Sequence, residues 1–291
     1  MAHAQVLVRR TPFLGHAAML ARGPVWCDPL DPNVARASLQ RLWQQLSEDH
    51  RMVLVTPDLI DGLDPMTSGP LLLMVSAGTT ARLSLNGSAE DRIARMHGKW
   101  RNRWRRAEDG PLKVSQGPLP DDQSHWLLQN EARQARRRRY RRLPPIFTQA
   151  WRRVNGPQST RLFAVSLKGS KVAGMLLLIH GDTASYHVGW SDDVGRQHHA
   201  HTLLLARAMA WAAEAGLQWI DLGTLDTATT PGLARFKLGS GAVPVSLGST
   251  WLDAPGAQSV ARLAKLTGGT GPSAAPTATA QQVFHPIKAG R

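Results

Sequence analysis

Cysteine is nearly absent from this chain. Cys27 is the single one in 291 residues, so no intrachain disulfide can form, which fits a reducing compartment. Long apolar runs are missing as well. No segment approaches the ~20 consecutive apolar residues of a membrane-spanning helix. The pair Arg9-Arg10 is not followed by an apolar stretch long enough for a signal-peptide core. The expectation is a soluble cytoplasmic protein. Negative charge is in short supply: 21 Asp and Glu face 35 Lys and Arg, for a net charge of +14. Such a balance predicts attraction to polyanions and says nothing about fold. Lysine is scarce too, so arginine carries most of the positive charge. At 42% hydrophobic residues, the chain can bury one large core or two medium ones, and two domains is the better expectation.

The positive charge is unevenly spread. One block reads Lys99-Trp100-Arg101-Asn102-Arg103-Trp104-Arg105-Arg106. A second holds Arg133, Arg136, Arg137, Arg138, Arg139, Arg141 and Arg142, with Arg152 and Arg153 beyond. Nucleic acid, nucleotides or acidic glycan precursors suit these blocks; the plainer reading is a solvated basic surface. In the first block, interleaved Trp and Arg could stack bases and pair phosphates. Alternatively, Trp100 and Trp104, four apart on a helix, face the core and leave Arg outward.

Periodicity and turn residues give the element order. Residues 161–167, 172–180 and 185–190 read as three strands joined by Gly-containing turns, an antiparallel meander. A nearly all-apolar helix over 199–215 follows, stopped by Gly216. Then come a strand at 218–222, a loop and helix around Phe236-Lys237, and a last strand from 243–247 and 250–251. In the first half, residues 6–8 are a strand and 33–47 an amphipathic helix. Residues 52–56 are a strand, and 71–75 with 81–85 a hairpin-like pair. A long helix capped by Ser88 spans 88–107, 112–114 is a strand, and helices cover 122–139 and 146–154. The first half thus loosely repeats the rhythm of the second. Residues 268–280, rich in Gly, Thr, Ala, Pro and Ser, read as a tail that does not fold independently. The expected domains are 1–155, 156–255 and a low-complexity segment 256–291.

The segment Gly232-Leu233-Ala234-Arg235-Phe236-Lys237-Leu238-Gly239-Ser240-Gly241 reads as an active-site loop. It follows a strand ending Trp219-Ile220-Asp221-Leu222-Gly223. In a chain that prefers arginine, Lys237 could meet a negative charge developing on a substrate oxygen. The rival reading is an ordinary helix-end cation. Asp221 ends a central strand, where open α/β sheets often bind ligands; it is either an amine-orienting group or a turn aspartate. Tyr186 and His187 alternate across a strand, so only one can face a cleft. His187 is a candidate general base or, on the other reading, a core or rim histidine. His198 and His201 share a helical face with His199 between them. A zinc site needs a third ligand, and no carboxylate lies in that helix before Glu214, so no metal is expected.

Together these residues resemble an acyltransferase of the GNAT superfamily, in its Fem-type branch. That branch comprises the peptidyl transferases that use aminoacyl-tRNA to build peptidoglycan cross-bridges. The resemblance rests on Tyr186-His187-Val188-Gly189-Trp190, on Leu203-Leu204-Leu205 with Ala208, Trp211-Ala212 and Gly216, on Asp221-Leu222-Gly223, and on Phe236-Lys237 with Gly239 and Gly241. In the first half it rests on Arg22-Gly23-Pro24-Val25, Lys99-Trp100-Arg101-Asn102, Arg105, Arg106, Ala107, Tyr140 and Leu143-Pro144-Pro145. It runs from about Ala21 to Trp251. It implies an α/β fold of tandem GNAT-like domains with mixed central sheets. It also implies that Lys237, with Phe236 beside it, stabilises the oxyanion and the tRNA end, and that no covalent intermediate forms. The implied partners are aminoacyl-tRNA and an amine acceptor, a peptidoglycan precursor or a peptide, with transient membrane-surface contact as a further option. No cofactor is implied. The tRNA-binding candidates are Lys99, Arg101, Arg105, Arg106, Arg138, Arg139, Arg196 and Tyr186.

Two departures bear on the substrate. The superfamily's pyrophosphate loop places small residues where this chain, counting from Arg196, has His199 and His201; coenzyme A binding in the usual way is not expected, although acyl-CoA-dependent N-acyl transfer is the alternative. The long charged helical arm of some Fem proteins is also missing, which leaves tRNA to the globular surface.

Overall fold

The computed structural model describes residues 1–11, 15–28 and 30–266. Their contacts form two compact units, residues 1–79 with Val245 onward, and residues 80–244.

The first unit opens with β1 (Ala2–His3), β2 (Val6–Thr11), β3 (Gly15–Ala21) and β4 (Val25–Trp26). Helix α1 (Pro32–Asp49), β5 (Met52–Thr56) and β6 (Leu72–Val75) follow. The second unit runs through β7 (Thr79–Ser84), α2 (Ala89–Ala94), α3 (Gly98–Glu108), β8 (Lys113–Gly117), α4 (Trp126–Arg138) and α5 (Pro145–Asn155). It continues with β9 (Thr160–Leu167), β10 (Ser170–His180), β11 (Thr183–Ser191), α6 (Asp193–Gln197), α7 (Ala200–Glu214), β12 (Trp219–Thr224), α8 (Pro231–Gly239) and β13 (Val243–Ser246). The chain ends in the first unit with β14 (Thr250–Asp253) and α9 (Ala257–Leu266).

In the first unit a five-stranded mixed sheet has the order β2-β3-β5-β14-β6. The pair β3–β5 is parallel and the others antiparallel. Leu20, Val53, Val55 and Trp251 of the sheet pack with Leu39 and Trp43 of α1. Asp31 caps α1 by accepting from the Asn33 and Val34 amides. Two aspartates fix the returning strand. Asp64 accepts from the Ser249 amide (2.8 Å) and the Trp251 indole (3.1 Å), and Asp253 accepts from the Trp43 indole (3.0 Å).

The second unit holds the seven-stranded order β13-β7-β12-β11-β10-β9-β8. Only β11–β12 is parallel among its registered pairs. Helix α7 packs on one face with Trp100 of α3, over Phe163, Met175, Leu177 and Ile220. The other face meets α4 through Leu127 and Leu128, which pack on Leu176 and Val188. Helix α7 ends as its sequence predicts: the Leu217 amide donates to the Ala212 carbonyl, the Gly216 amide to Ala213, and Gly216 adopts φ +78°.

Strand β11 carries a bulge. Val188 pairs with Leu176 and Tyr186 with Leu177, so His187 is an extra residue without its own partner on β10. Tyr186 therefore faces α7 while Val188 faces α4.

The mixed α/β architecture and mixed sheets are as expected. Residues 80–155 and 156–244 share one sheet, because β8 pairs with β9; the compact units thus divide at 79/80 and 244/245, not at 155/156. The expected hairpin of 71–75 with 81–85 does not form, since β6 pairs with β14 and β7 with β12. The expected helix over 88–107 is two helices. Ser88 and Asp91 form a capping box on α2. At His97 the backbone amide turns to the Gly239 carbonyl (3.0 Å) and the ring accepts from the Lys99 amide (3.3 Å), which starts α3 afresh. The segment around Phe236-Lys237 is helical, not a loop. Residues 243–251 form two strands in different sheets. The tail over 268–280 lies outside the described residues. No described helix is long and apolar enough to cross a membrane.

Candidate active site

The parallel strands β11 and β12 pair only from Thr183–Trp219 to Ser185–Asp221. Past that point they part, which opens a wedge at the carboxyl end of β12 and beside Tyr186. Ligand sites in α/β sheets form where strands diverge in this way. Helix α8 brings Lys237 to the wedge. Proline at its first turn starts the helix, and the Phe236 ring fixes its rotation, lying 6.3 Å from Trp100 and 5.8 Å from His201 between centroids. Gly239 lets α8 approach α3, since a Cβ there would meet Trp100 at 2.9 Å.

Lys237 is only 6% exposed, so it is not the surface helix-end cation of the rival reading. Its Nζ donates to the Thr224 carbonyl at 2.6 Å, and two N–H donors are left for a ligand. Burial lowers its pKa from the ordinary lysine value, and nearby Asp221 partly offsets this. Asp221 Oδ1 accepts from the Thr80 hydroxyl and from the Gly223 amide, both at 2.7 Å. These bonds fix the end of β12, with Gly223 in the left-handed region at φ +74° beside the ammonium.

Opposite, the Tyr186 hydroxyl and His201 Nε2 are 2.7 Å apart. Burial raises the tyrosine pKa and pushes the histidine down to about 4. His201 is therefore neutral at neutral pH, and its Nδ1 is buried without a partner. Gly189 makes room for the pair: a Cβ there would fall 1.7 Å from the Tyr186 hydroxyl oxygen. The Gly189 carbonyl accepts from Gln134 (3.3 Å), which also donates to the Tyr140 hydroxyl; that hydroxyl donates to Glu131 at 3.0 Å. Burial raises the Glu131 pKa, and Arg142 lies 3.5 Å from its carboxylate.

His187 points elsewhere. As the bulged residue it meets α5, with Nε2 2.8 Å from the Thr148 hydroxyl and its ring 5.9 Å from Phe147. Burial pushes its pKa down to about 4. The structure brings Lys237, Asp221, Phe236 and Tyr186 into one unit and leaves His187 on the opposite face of the sheet.

A second feature adjoins the start of α7. A pocket of about 350 Å³ is lined by Lys99, Asn102, Arg103, Arg106 and His199. His199 precedes the helix at φ +53°, and no side chain caps the first amides of α7. Uncapped helix amides and three cations are groups that could hold an anion. The pocket's positive field shows in His199, whose pKa is lowered first by burial and then by Arg103, Arg106 and His198. The other sequence candidates go elsewhere. Arg101 reaches the Ile93 carbonyl (3.4 Å), and Arg196 bonds Asp193 and the Ser191 carbonyl of its own turn. Arg105, Arg138 and Arg139 are exposed. Trp100 is buried, not a stacking platform. His201 turns inward, so only His199 of the two loop imidazoles stands at the pocket. No cluster of three metal-ligating side chains occurs among the described residues.

Arg103 and His199 were missed as site residues. The signal was present: Lys99, Asn102, Arg103 and Arg106 stand at i, i+3, i+4 and i+7, one face of a helix.

Residues 94–238 match a family model described as an acetyltransferase (GNAT) domain. The chain carries a GNAT acetyltransferase domain. Among solved structures it is similar to FemX, with a TM-score of 0.69 and 14% identity over 86% of this chain and 84% of that one. It also resembles the C-terminal domain of a putative lysylphosphatidylglycerol synthetase from Agrobacterium fabrum, with a TM-score of 0.53 and 13% identity over 94% and 91% of the two chains. At these identities the likeness is one of fold. No curated protein matches by sequence.

Proposed function

We propose that this GNAT acyltransferase moves an amino acid from charged tRNA to an amine acceptor, a peptide or peptidoglycan precursor. The observation that carries the reading is the buried Lys237 ammonium at the β11–β12 wedge, in one compact unit with an anion pocket at the start of α7. The likeness to FemX supports it. The acceptor nitrogen, as a free amine, attacks the ester carbonyl. Lys237 holds the tetrahedral oxyanion with the N–H groups not given to Thr224. The C–O bond to the tRNA ribose then breaks, and the proton lost by nitrogen ends on the departing ribose oxygen. The ester is already activated, so no side-chain nucleophile is required. Asp221 and the Tyr186–His201 pair hold the walls. Lys99, Arg103 and Arg106 take terminal phosphates of the tRNA.

The same pocket suits the diphosphate of an acyl-CoA, which is the alternative reading. Filter binding of charged tRNA at rising salt separates the two. Affinity should fall steeply, with a slope near 0.7–0.9 per phosphate contact, and Arg103→Glu with Arg106→Glu should flatten it by about 2. Absence of binding at low salt removes the tRNA reading. Displacement of tRNA by micromolar coenzyme A favours the alternative.

A further inference from the structure

Helix α5 is inside out. Its two fully buried residues are polar: Thr148 is 1% and Gln149 0% exposed. Thr148 bonds His187, while Gln149 Nε2 donates to the carbonyls of Pro120 (3.2 Å) and Asp122 (2.8 Å). The neighbouring turn is tied likewise, the Trp151 indole to the Ser159 carbonyl and Arg152 Nε to the Leu119 carbonyl. Polar bonds set the rotation of this helix, and its apolar side chains are left outside. Ile146 is 60% and Val154 82% exposed, and Phe147 and Ala150 are exposed with them. At 100° per residue these four fall within an arc of about 100°. Leu143, just before the helix, is exposed too.

A run of exposed cations leads into this stripe along the chain. Arg136, Arg137, Arg138, Arg139 and Arg141 precede it, all exposed, and among the described residues none of them is in an ion pair. We propose that α5 and the end of α4 form a docking surface for an anionic phospholipid bilayer. The apolar stripe enters the interface and the arginines meet headgroup phosphates, their stems lying along the acyl boundary. Charge complementarity selects this occupant. Exposed Ile and Val offer a nucleic acid neither stacking nor hydrogen bonds. A two-fold contact with a second copy would set two arginine clusters of one sign against each other. The proposal is independent of the acyl donor, since the surface lies on the side of His187 and not of Lys237.

The test is co-sedimentation of the full chain, without tRNA, with phosphatidylcholine vesicles containing about one third phosphatidylglycerol, and with phosphatidylcholine alone. Binding should require the anionic lipid and weaken with salt. Ile146→Asp with Val154→Asp should lower partitioning roughly tenfold or more, with an unchanged circular dichroism spectrum. Ile146→Ser with Val154→Ser serves if the charged pair perturbs folding. Arg138→Glu with Arg139→Glu should lower binding at low salt. Absence of vesicle binding, or wild-type partitioning by the α5 variants, overturns the proposal. So does a concentration-dependent dimer that the α5 variants abolish, which assigns the stripe to a second copy. RNA binding lost in the arginine variants, without vesicle binding, assigns the cluster to nucleic acid.

Discussion

Helices α7 and α5 lie on opposite faces of one sheet, and each has roughly what the other lacks. Helix α7 is apolar nearly all round and buried over most of Ala200 to Ala212, with Arg207 and Ala210 exposed. Few polar groups face it, and Tyr186 and His201 are paired with each other. Helix α5 buries Thr148 and Gln149 and turns its aliphatic side chains to solvent. Both positions follow from what surrounds the helix. A sheet face of Phe163, Met175 and Leu177 has only apolar surface to offer α7. Helix α5 meets the bulged His187 ring and the carbonyls of Pro120 and Asp122, which accept from Gln149. Hydrophobicity sets the amount of surface a helix can bury; the hydrogen-bonding demand of its neighbours sets which side is buried.

The comparison can be broken at its strong end first. Leu204→Ala in α7 should cost about 2–5 kcal/mol, the transfer of a buried side chain plus the cavity it leaves, measured by urea denaturation. A cost below 1 kcal/mol would mean that α7 is less tightly packed than its burial requires. Next comes the site that α7 and α8 build together. Lys237→Ala should lower single-turnover transfer on the order of a hundred- to a thousand-fold, about 2.7–4 kcal/mol, with little loss of folding. Lys237→Arg should not restore it, because a planar fork places its charge differently. The pH profile carries a sign. Burial favours neutral Lys237, so the ammonium and the rate should be lost on the alkaline side, at lower pH than for an exposed lysine. A wild-type rate in well-folded Lys237→Ala would return this lysine to structure alone. The smallest effect belongs to α5. Ile146→Ser should change the unfolding free energy from urea denaturation by no more than about 0.5 kcal/mol; a larger loss would show that the stripe is packed in solution and would remove the contrast.

Much of this was legible in the sequence. The meander, the all-apolar helix and its Gly216 stop are local signals, and residues 52–56 emerge as β5 unchanged. Lys237 stood out because lysine is rare here, although nothing local showed that it is buried rather than displayed. What escaped depends on distant contacts. Residues 71–75 and 81–85 look like a hairpin, but their partners are β14 and β12, more than a hundred residues away. The break at His97 is made by the Gly239 carbonyl. His201 falls within the expected helix, but its partner could not be read locally, because only the folded chain sets it against Tyr186.

The extra residue at His187 has a further consequence for how this chain can change over time. On either side of it the strand runs in opposite phase, so Ser185 and Tyr186 obey one alternation and Val188 to Trp190 the other. Substitutions can accumulate at these positions one by one, except at Gly189, where a Cβ would meet the Tyr186 hydroxyl. Deletion of His187 itself would leave Tyr186 opposite Leu177 and Val188 opposite Leu176, so both faces would be kept and only the bond to Thr148 of α5 would be lost. An insertion elsewhere in β11 has no such relief, since it would shift one half of the strand against β10, and engineered loops belong at Gly181-Asp182 or after Ser191, outside the phase boundary.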